Sequence, residues 1–164
     1  METSYLVCLL IDTGARINEG LTAHVSGLDM DQLHLKVVGK GNRERLLPIS
    51  LGMRKILWAY LSKHRFKTGD YLFPTRDGYM LEYNNMLRDI KEHSRSLGIT
   101  GVRLSPHGFR HYYAVNFLRR GGDIYRLSRI LGHNNLSTTQ IYIRSMGVEM
   151  VQEIHQQLSP LSKY

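Results

Sequence analysis

Residues 32–38, QLHLKVV, alternate polar and apolar side chains, and RERLLPI at 43–49 follows them across the turn GKGN. An extended chain points successive side chains to opposite faces, so this alternation describes a strand with one buried face. Residues 33–49 therefore read as an antiparallel β-hairpin with Lys40 at or near its tip. Every other periodic stretch is helical in spacing, which restricts the chain to a mostly α fold with a small antiparallel β-sheet, an α+β class.

The helical stretches follow in order. YLVCLLI at 5–11 reads as a core helix cut short at its start, and its roughly seven apolar residues fall far below the ~20 that a bilayer requires. Neither a basic leader nor a small-residue cleavage site flanks it, so it is not read as a signal or a membrane span. TGARINEGL turns at Thr13 and Gly14 and then resumes helical spacing. Ser50 is a candidate N-cap for a helix over 50–64. A loop rich in Gly, Asp and Pro then runs to about Tyr79, and helices are expected over 81–97, 106–120, 124–131, 136–143 and 147–158. No repeat, low-complexity tract or linker interrupts the 164 residues, so 1–164 is expected to form one domain.

Lys and Arg outnumber Asp and Glu by 22 to 14, and the net charge of +8 favours polyanionic partners, nucleic acid first. The single cysteine, Cys8, leaves neither a disulfide framework nor a cysteine metal site, and a reducing cytoplasm is the matching compartment.

The densest chemistry lies in LSPHGFRHYYA, where His107, Arg110 and His111 fall within five residues. His107 and His111 have the spacing of the zinc motif HExxH, but Gly108 stands where the glutamate belongs and no third ligand follows. His107 and Arg110, three apart, share a helix face near a helix start, where unpaired backbone N–H groups also favour an anion such as phosphate. The plainer alternative is a capping histidine beside a solvated arginine. Elsewhere TGAR offers Arg16, GKGN offers Lys40, LGHNN offers His133 and STTQIYIR offers Tyr142. Taken singly, each has an ordinary structural explanation: a tyrosine among apolar residues is usually core, and GKG lacks the spacing of a Walker phosphate loop.

Taken in order, TGAR, GKG, HGFRH, LGH and TTQIY resemble the catalytic domain of the tyrosine recombinase, or phage integrase, family, over about residues 6–144. The resemblance implies that Arg16 and Arg110 grip the nonbridging oxygens of a scissile DNA phosphate, a task suited to permanently charged, forked guanidinium groups. It implies that His133 is a further donor to that phosphate, His107 the acid/base partner of the nucleophile, Lys40 the acid that protonates the departing 5′ oxygen, and Tyr142 the nucleophile. The implied product is a 3′-phosphotyrosine link, rejoined to another 5′ hydroxyl without ATP. No metal or other cofactor is implied, because the arginines supply the positive charge that magnesium gives many phosphoryl-transfer enzymes.

By the same resemblance, residues 1–144 form the catalytic core and 145–164 a C-terminal helix and tail, with the family's N-terminal core-binding domain expected to be absent from this chain. Double-stranded DNA is the implied partner, the protein is placed with DNA in the cytoplasm, and no membrane is involved. Met150, Val151, Ile154 and Leu158 give the last helix an apolar face that either joins neighbouring protomers in a tetramer on DNA or folds back on its own domain. Glu19 matches the acidic residue that supports the first arginine. Gly20 and Ala23 stand where large apolar residues are common and Gly27 where an acid is usual, so packing there is expected to differ. A type IB topoisomerase-like relaxing enzyme and a DNA-binding module without catalysis are the alternative functions; the spellings LGH and HGFRH favour the recombinase.

Overall fold

The structure is a computed structural model that describes residues 2–39, 41–99, 101, 104–133, 135–144 and 147–162, with the backbone alone for 148–150. Its contacts divide the chain into two compact units, 1–110 and 111–164. It is mostly helical with a small antiparallel sheet, as the patterning requires.

In the first unit, α1 (Glu2–Thr13) buries Leu6, Leu9 and Leu10 completely. It ends at Gly14, where a φ of 63° lets the N–H turn back to the Leu10 carbonyl at 3.0 Å. α2 (Ile17–Leu21) follows. The sheet has three strands, β1 (Leu28–Asp29), β2 (His34–Val38) and β3 (Glu44–Pro48), in that order. Leu28 lies opposite Leu35, and Leu35 opposite Leu47, so Leu35, Val37 and Leu47 enter the core while Lys36, Val38 and Leu46 face outward. β1 was not foreseen, because two residues are too few for alternation to register.

α3 (Leu51–Leu61) begins where Ser50 predicted it: the Ser50 Oγ accepts the Met53 N–H at 3.0 Å. The Ser50 N–H and Oγ–H donate in turn to the Asp12 carboxylate at 2.9 and 2.6 Å, tying this start to the end of α1. The helix stops three residues earlier than the spacing suggested, because Lys63 and His64 bond back only three residues, to Tyr60 and Leu61. The following loop is pinned by its own apolar residues. Leu72 and Phe73 are fully buried, and the Tyr60 hydroxyl donates to the Leu72 carbonyl at 3.0 Å. α4 (Tyr83–Ser96) buries Met86 and Ile90. α5 (Pro106–Arg119) has Pro106 in its first turn and Ser105 as its cap, the Ser105 Oγ accepting the Gly108 N–H at 3.1 Å.

The second unit takes α5 from His111 onward, then α6 (Ile124–Leu131), α7 (Leu136–Arg144) and α8 (Val148–Leu158). Ala114, Leu118, Leu127 and Leu131 form its core, with Tyr113, Phe117 and Tyr142 packed around them. α6 is closed at both ends. The Asp123 carboxylate accepts the Arg126 N–H at 2.8 Å, and Gly132 ends the helix in the left-handed conformation that its missing Cβ permits. α8 is paired to α5 through Arg119 Nη2 and Glu153 Oε2 at 3.2 Å, while Val151 and Leu158 stay 57% and 65% exposed. Met150 of the expected apolar face belongs to the backbone-only stretch.

The small residues at 20, 23 and 27 have a physical reason. Ala23 is buried, a Cβ on Gly20 would meet Leu6 Cδ1 at 2.6 Å, and a Cβ on Gly27 would meet the Lys36 carbonyl oxygen of β2 at 2.6 Å. α1 and β2 therefore approach the chain too closely for larger side chains.

Glu19 is a buried carboxylate in this unit, 1% exposed. Its Oε2 accepts the Arg16 backbone N–H and Arg45 Nη2, both at 2.7 Å, and its Oε1 accepts Arg45 Nε at 2.8 Å and Arg16 Nη1 at 3.3 Å. Burial by itself would raise the Glu19 pKa. The hydrogen bonds from Arg45 and from the Arg16 backbone, with the two guanidinium charges, outweigh it and hold the carboxyl below its ordinary value.

Two stability measurements check these packing arguments. Gly27→Ala meets backbone that cannot rotate away and should cost about 1–3 kcal/mol in thermal or denaturant unfolding. Gly20→Ala meets only a leucine methyl and gains helix propensity, so it should stay within about 1 kcal/mol of wild type. For Glu19 the folded-state pKa is depressed, so its stabilisation is present above the ordinary carboxylate range and is lost as pH falls through it toward the folded value. Glu19→Gln should be less stable by about 1–3 kcal/mol at pH 7, and denaturant titrations should show the gap closing below about pH 4.

Candidate active site

In the first unit two of the candidate residues, Arg16 and Arg110, engage the short segment from Gly14 to Glu19. Arg16 precedes α2 in extended backbone, its N–H taken by Glu19 and its side chain 37% exposed. Arg110 lies in the first half of α5 and is only 7% exposed; its Nη1 donates to the Gly14 carbonyl at 2.6 Å. It is therefore not the solvated surface arginine of the plainer alternative. Gly14 and Arg110 are 96 positions apart in sequence, and this bond brings two motif segments together. His107 is exposed in the first turn of α5, three residues before Arg110 on the same helix face. Lys40 lies outside the described residues, while its neighbours Gly41 and Asn42 turn the hairpin with φ of 77° and 58°.

In the second unit, His133 and Tyr142 come together. The Gly132 cap lets the His133 N–H reach back to the Ser128 carbonyl at 3.0 Å, which sets the histidine at a fixed point just past α6. Its Nδ1 is 2.8 Å from the Oγ1 of Thr139, a fully buried residue of α7. Tyr142, one turn further along α7, lies nearly parallel to His133, with centroids 6.4 Å apart and planes at 10°. The His111 ring approaches Tyr142 at 5.5 Å and 53°. The half-buried Tyr142 ring thus packs against two imidazoles.

Three participants went unassigned in the sequence. Thr139 and His111 sit within motif spellings, yet their contacts depend on how α7 folds against the end of α6. Arg45 carried a legible signal: in β3 it is in phase with the buried Leu47 and Ile49, and an inward-facing charge on a strand demands a partner. Glu19 is that partner. Among the described residues no three His, Cys, Asp or Glu side chains are grouped as a metal ligand set, and no helix is long and apolar enough to cross a membrane.

Comparison with known proteins agrees with the residues. A family model described as the phage integrase family matches residues 1–147. The tyrosine recombinase XerD of Yersinia pestis is 35% identical over 159 residues, covering 93% of this chain and 52% of the relative, and that of Proteus mirabilis is 36% identical over 159 residues, covering 93% and 50%. The chain thus spans about half the length of the curated relatives it matches. Among solved structures, XerA recombinase superposes with a TM-score of 0.79 at 27% identity, covering 97% of this chain and 62% of that one. The catalytic domain of bacteriophage HP1 integrase shares the fold, with a TM-score of 0.64 at 23% identity over 96% of this chain and 82% of that one. With its motif residues in order and the family model matched over residues 1–147, the chain belongs to the phage integrase family.

Proposed function

We propose that this chain is the catalytic portion of a site-specific DNA recombinase, cleaving and rejoining duplex DNA through a 3′-phosphotyrosine. The observation that carries this is Arg110, buried and bonded to the carbonyl of Gly14, two residues before Arg16. A buried cation is costly without a reason, and Arg110, bonded to the segment that carries Arg16, brings a second guanidinium group to the charge a phosphoryl-transfer transition state needs. The XerD relatives are tyrosine recombinases, and XerH recombinase has been solved bound to its difH substrate before cleavage.

In this mechanism Arg16, Arg110 and His133 hold the nonbridging oxygens of the scissile phosphate. The hydrogen bond between His133 Nδ1 and Thr139 Oγ1 fixes the orientation in which the imidazole meets the phosphate. The Tyr142 oxygen attacks phosphorus, His107 takes up the phenol proton, and the bond to the 5′ oxygen breaks as Lys40 protonates it. Reversal with a different 5′ hydroxyl joins the new strand and releases Tyr142. Duplex DNA is the partner, and the exposed Val151 and Leu158 of α8 support self-association on DNA through residues 145–164.

Incubating the full-length protein with a nicked suicide DNA substrate tests the chemistry. Wild type should trap a denaturation-resistant protein–DNA adduct, with chelator present and no metal added. Tyr142→Phe should bind DNA but form no adduct, and Arg110→Ala should slow adduct formation by roughly a hundredfold or more. An adduct from Tyr142→Phe means another nucleophile, and loss of the wild-type adduct to chelator means a metal-dependent reaction. Separately, deleting residues 145–164 should leave binding to a single site within about threefold while removing the higher-order complexes seen in gel-shift or light-scattering experiments on DNA.

A further inference from the structure

The first unit carries a strongly basic face that the mechanism above does not use. No Asp or Glu occurs between Glu44 and Asp70, while Arg54, Lys55, Lys63, Arg65 and Lys67 fall in α3 and the loop after it. All five are exposed, and none forms an ion pair with a carboxylate among the described residues. Like charges gathered without counterions repel one another, and a polyanion relieves that repulsion.

α3 arranges part of this charge beside an aromatic ring. Met53, Leu57 and Tyr60 turn inward and are buried, so Leu51, Arg54, Lys55 and Trp58, at helical spacings of three, four and seven, share the outer face. Leu51 is 62% exposed and Trp58, the chain's only tryptophan, 67%. An indole in this position offers an N–H donor and a flat apolar ring next to two cations, a combination that suits a sugar–phosphate backbone.

This face adjoins the segment assigned to the scissile phosphate. The Asp12 carboxylate, two residues before Gly14, holds the N–H and hydroxyl of Ser50 at the start of α3. Gly14 accepts the bond from Arg110, and Arg16 follows two residues later. From that anchored start α3 runs back along α1, and the Tyr5 and Tyr60 rings meet 4.4 Å apart toward the other ends of the two helices. Arg54 and Lys55 lie about 6–8 Å along the helix from Ser50 by helical rise. Charge complementarity and this continuity both point to DNA as the occupant.

We propose that the outer face of α3 is a second DNA-contact surface, on which Arg54, Lys55 and Trp58 hold the sugar–phosphate backbone of the duplex beside the scissile phosphate. Contacts to backbone add affinity without sequence preference. The inference rests on DNA being the partner proposed above and not on the covalent step.

Fluorescence of the 164-residue chain reads this surface directly, because Trp58 is its only indole. A short mixed-sequence duplex should quench Trp58 emission and added salt should restore it, while a polyglutamate peptide at equal charge concentration leaves it unchanged. The double variant Arg54→Ala/Lys55→Ala, folded by its melting curve, should bind unrelated duplexes alike about fivefold or more weakly at ~0.1 M salt. Its slope of log Kd against log salt should fall by about two. In the full-length protein the same variant should form the covalent adduct at saturating DNA within about twofold of the wild-type rate. An unchanged salt slope, or Trp58 emission that ignores the duplex, overturns the proposal. Polyglutamate quenching as strongly as the duplex also overturns it and assigns the face to an acidic protein, and a variant that loses adduct formation at saturating DNA overturns it by placing these residues in the chemistry. A wild type that binds DNA but forms no adduct refutes the strand-cleavage function alone, and the salt slope and emission then still decide the surface.

Discussion

A carboxylate that has been taken out of water must stay ionised for the first unit to keep its shape. Desolvation opposes that ionisation, and Glu19 overcomes it with four hydrogen bonds drawn from the start of α2, the Arg16 side chain and β3. These belong to separate pieces of chain. None of them can shift without leaving a buried charge short of partners, so the hairpin, the turn after α1 and the beginning of α2 behave as one piece. Arg110 reaches the same piece from α5 by its bond to Gly14. The grouping of arginines follows from satisfying buried polar groups.

The second unit is held differently. α6 and α7 are 8 and 9 residues long, too short to persist as isolated helices, and they depend on caps and a small apolar core. Tyr142 is part of that packing, alongside Tyr113 and Phe117. Its contacts with His111 and His133 are ring contacts, softer than the forked ion pair of the first unit. A tyrosine mounted in this way can be repositioned at modest cost, whereas the arginine segment cannot.

The phage integrase family model matches residues 1–147 and so takes in residues of both units. The chain's departures from the expected family pattern fall where packing is tight. Gly20 lies against a Leu6 methyl, Gly27 against the Lys36 carbonyl, which leaves no room for a side chain, and Ala23 is buried.

Much of this could be read without coordinates. The alternation over 32–38 and the turn after it fixed a hairpin, Ser50 marked the start of α3, and the range 124–131 matched α6, because strand alternation and helix spacing are local properties of the chain. The motif residues were likewise legible by type and order. Tertiary structure decided which of them are buried and what they touch: that Arg110 bonds to Gly14, that Thr139 engages His133, and that Arg45 clasps Glu19. It also decided the two-residue β1 and the early end of α3. Those outcomes join residues far apart in sequence, or elements too short to carry a period. They are set by the need to pair each desolvated charge and fill each close approach, which depends on the whole packed chain and not on any stretch of it.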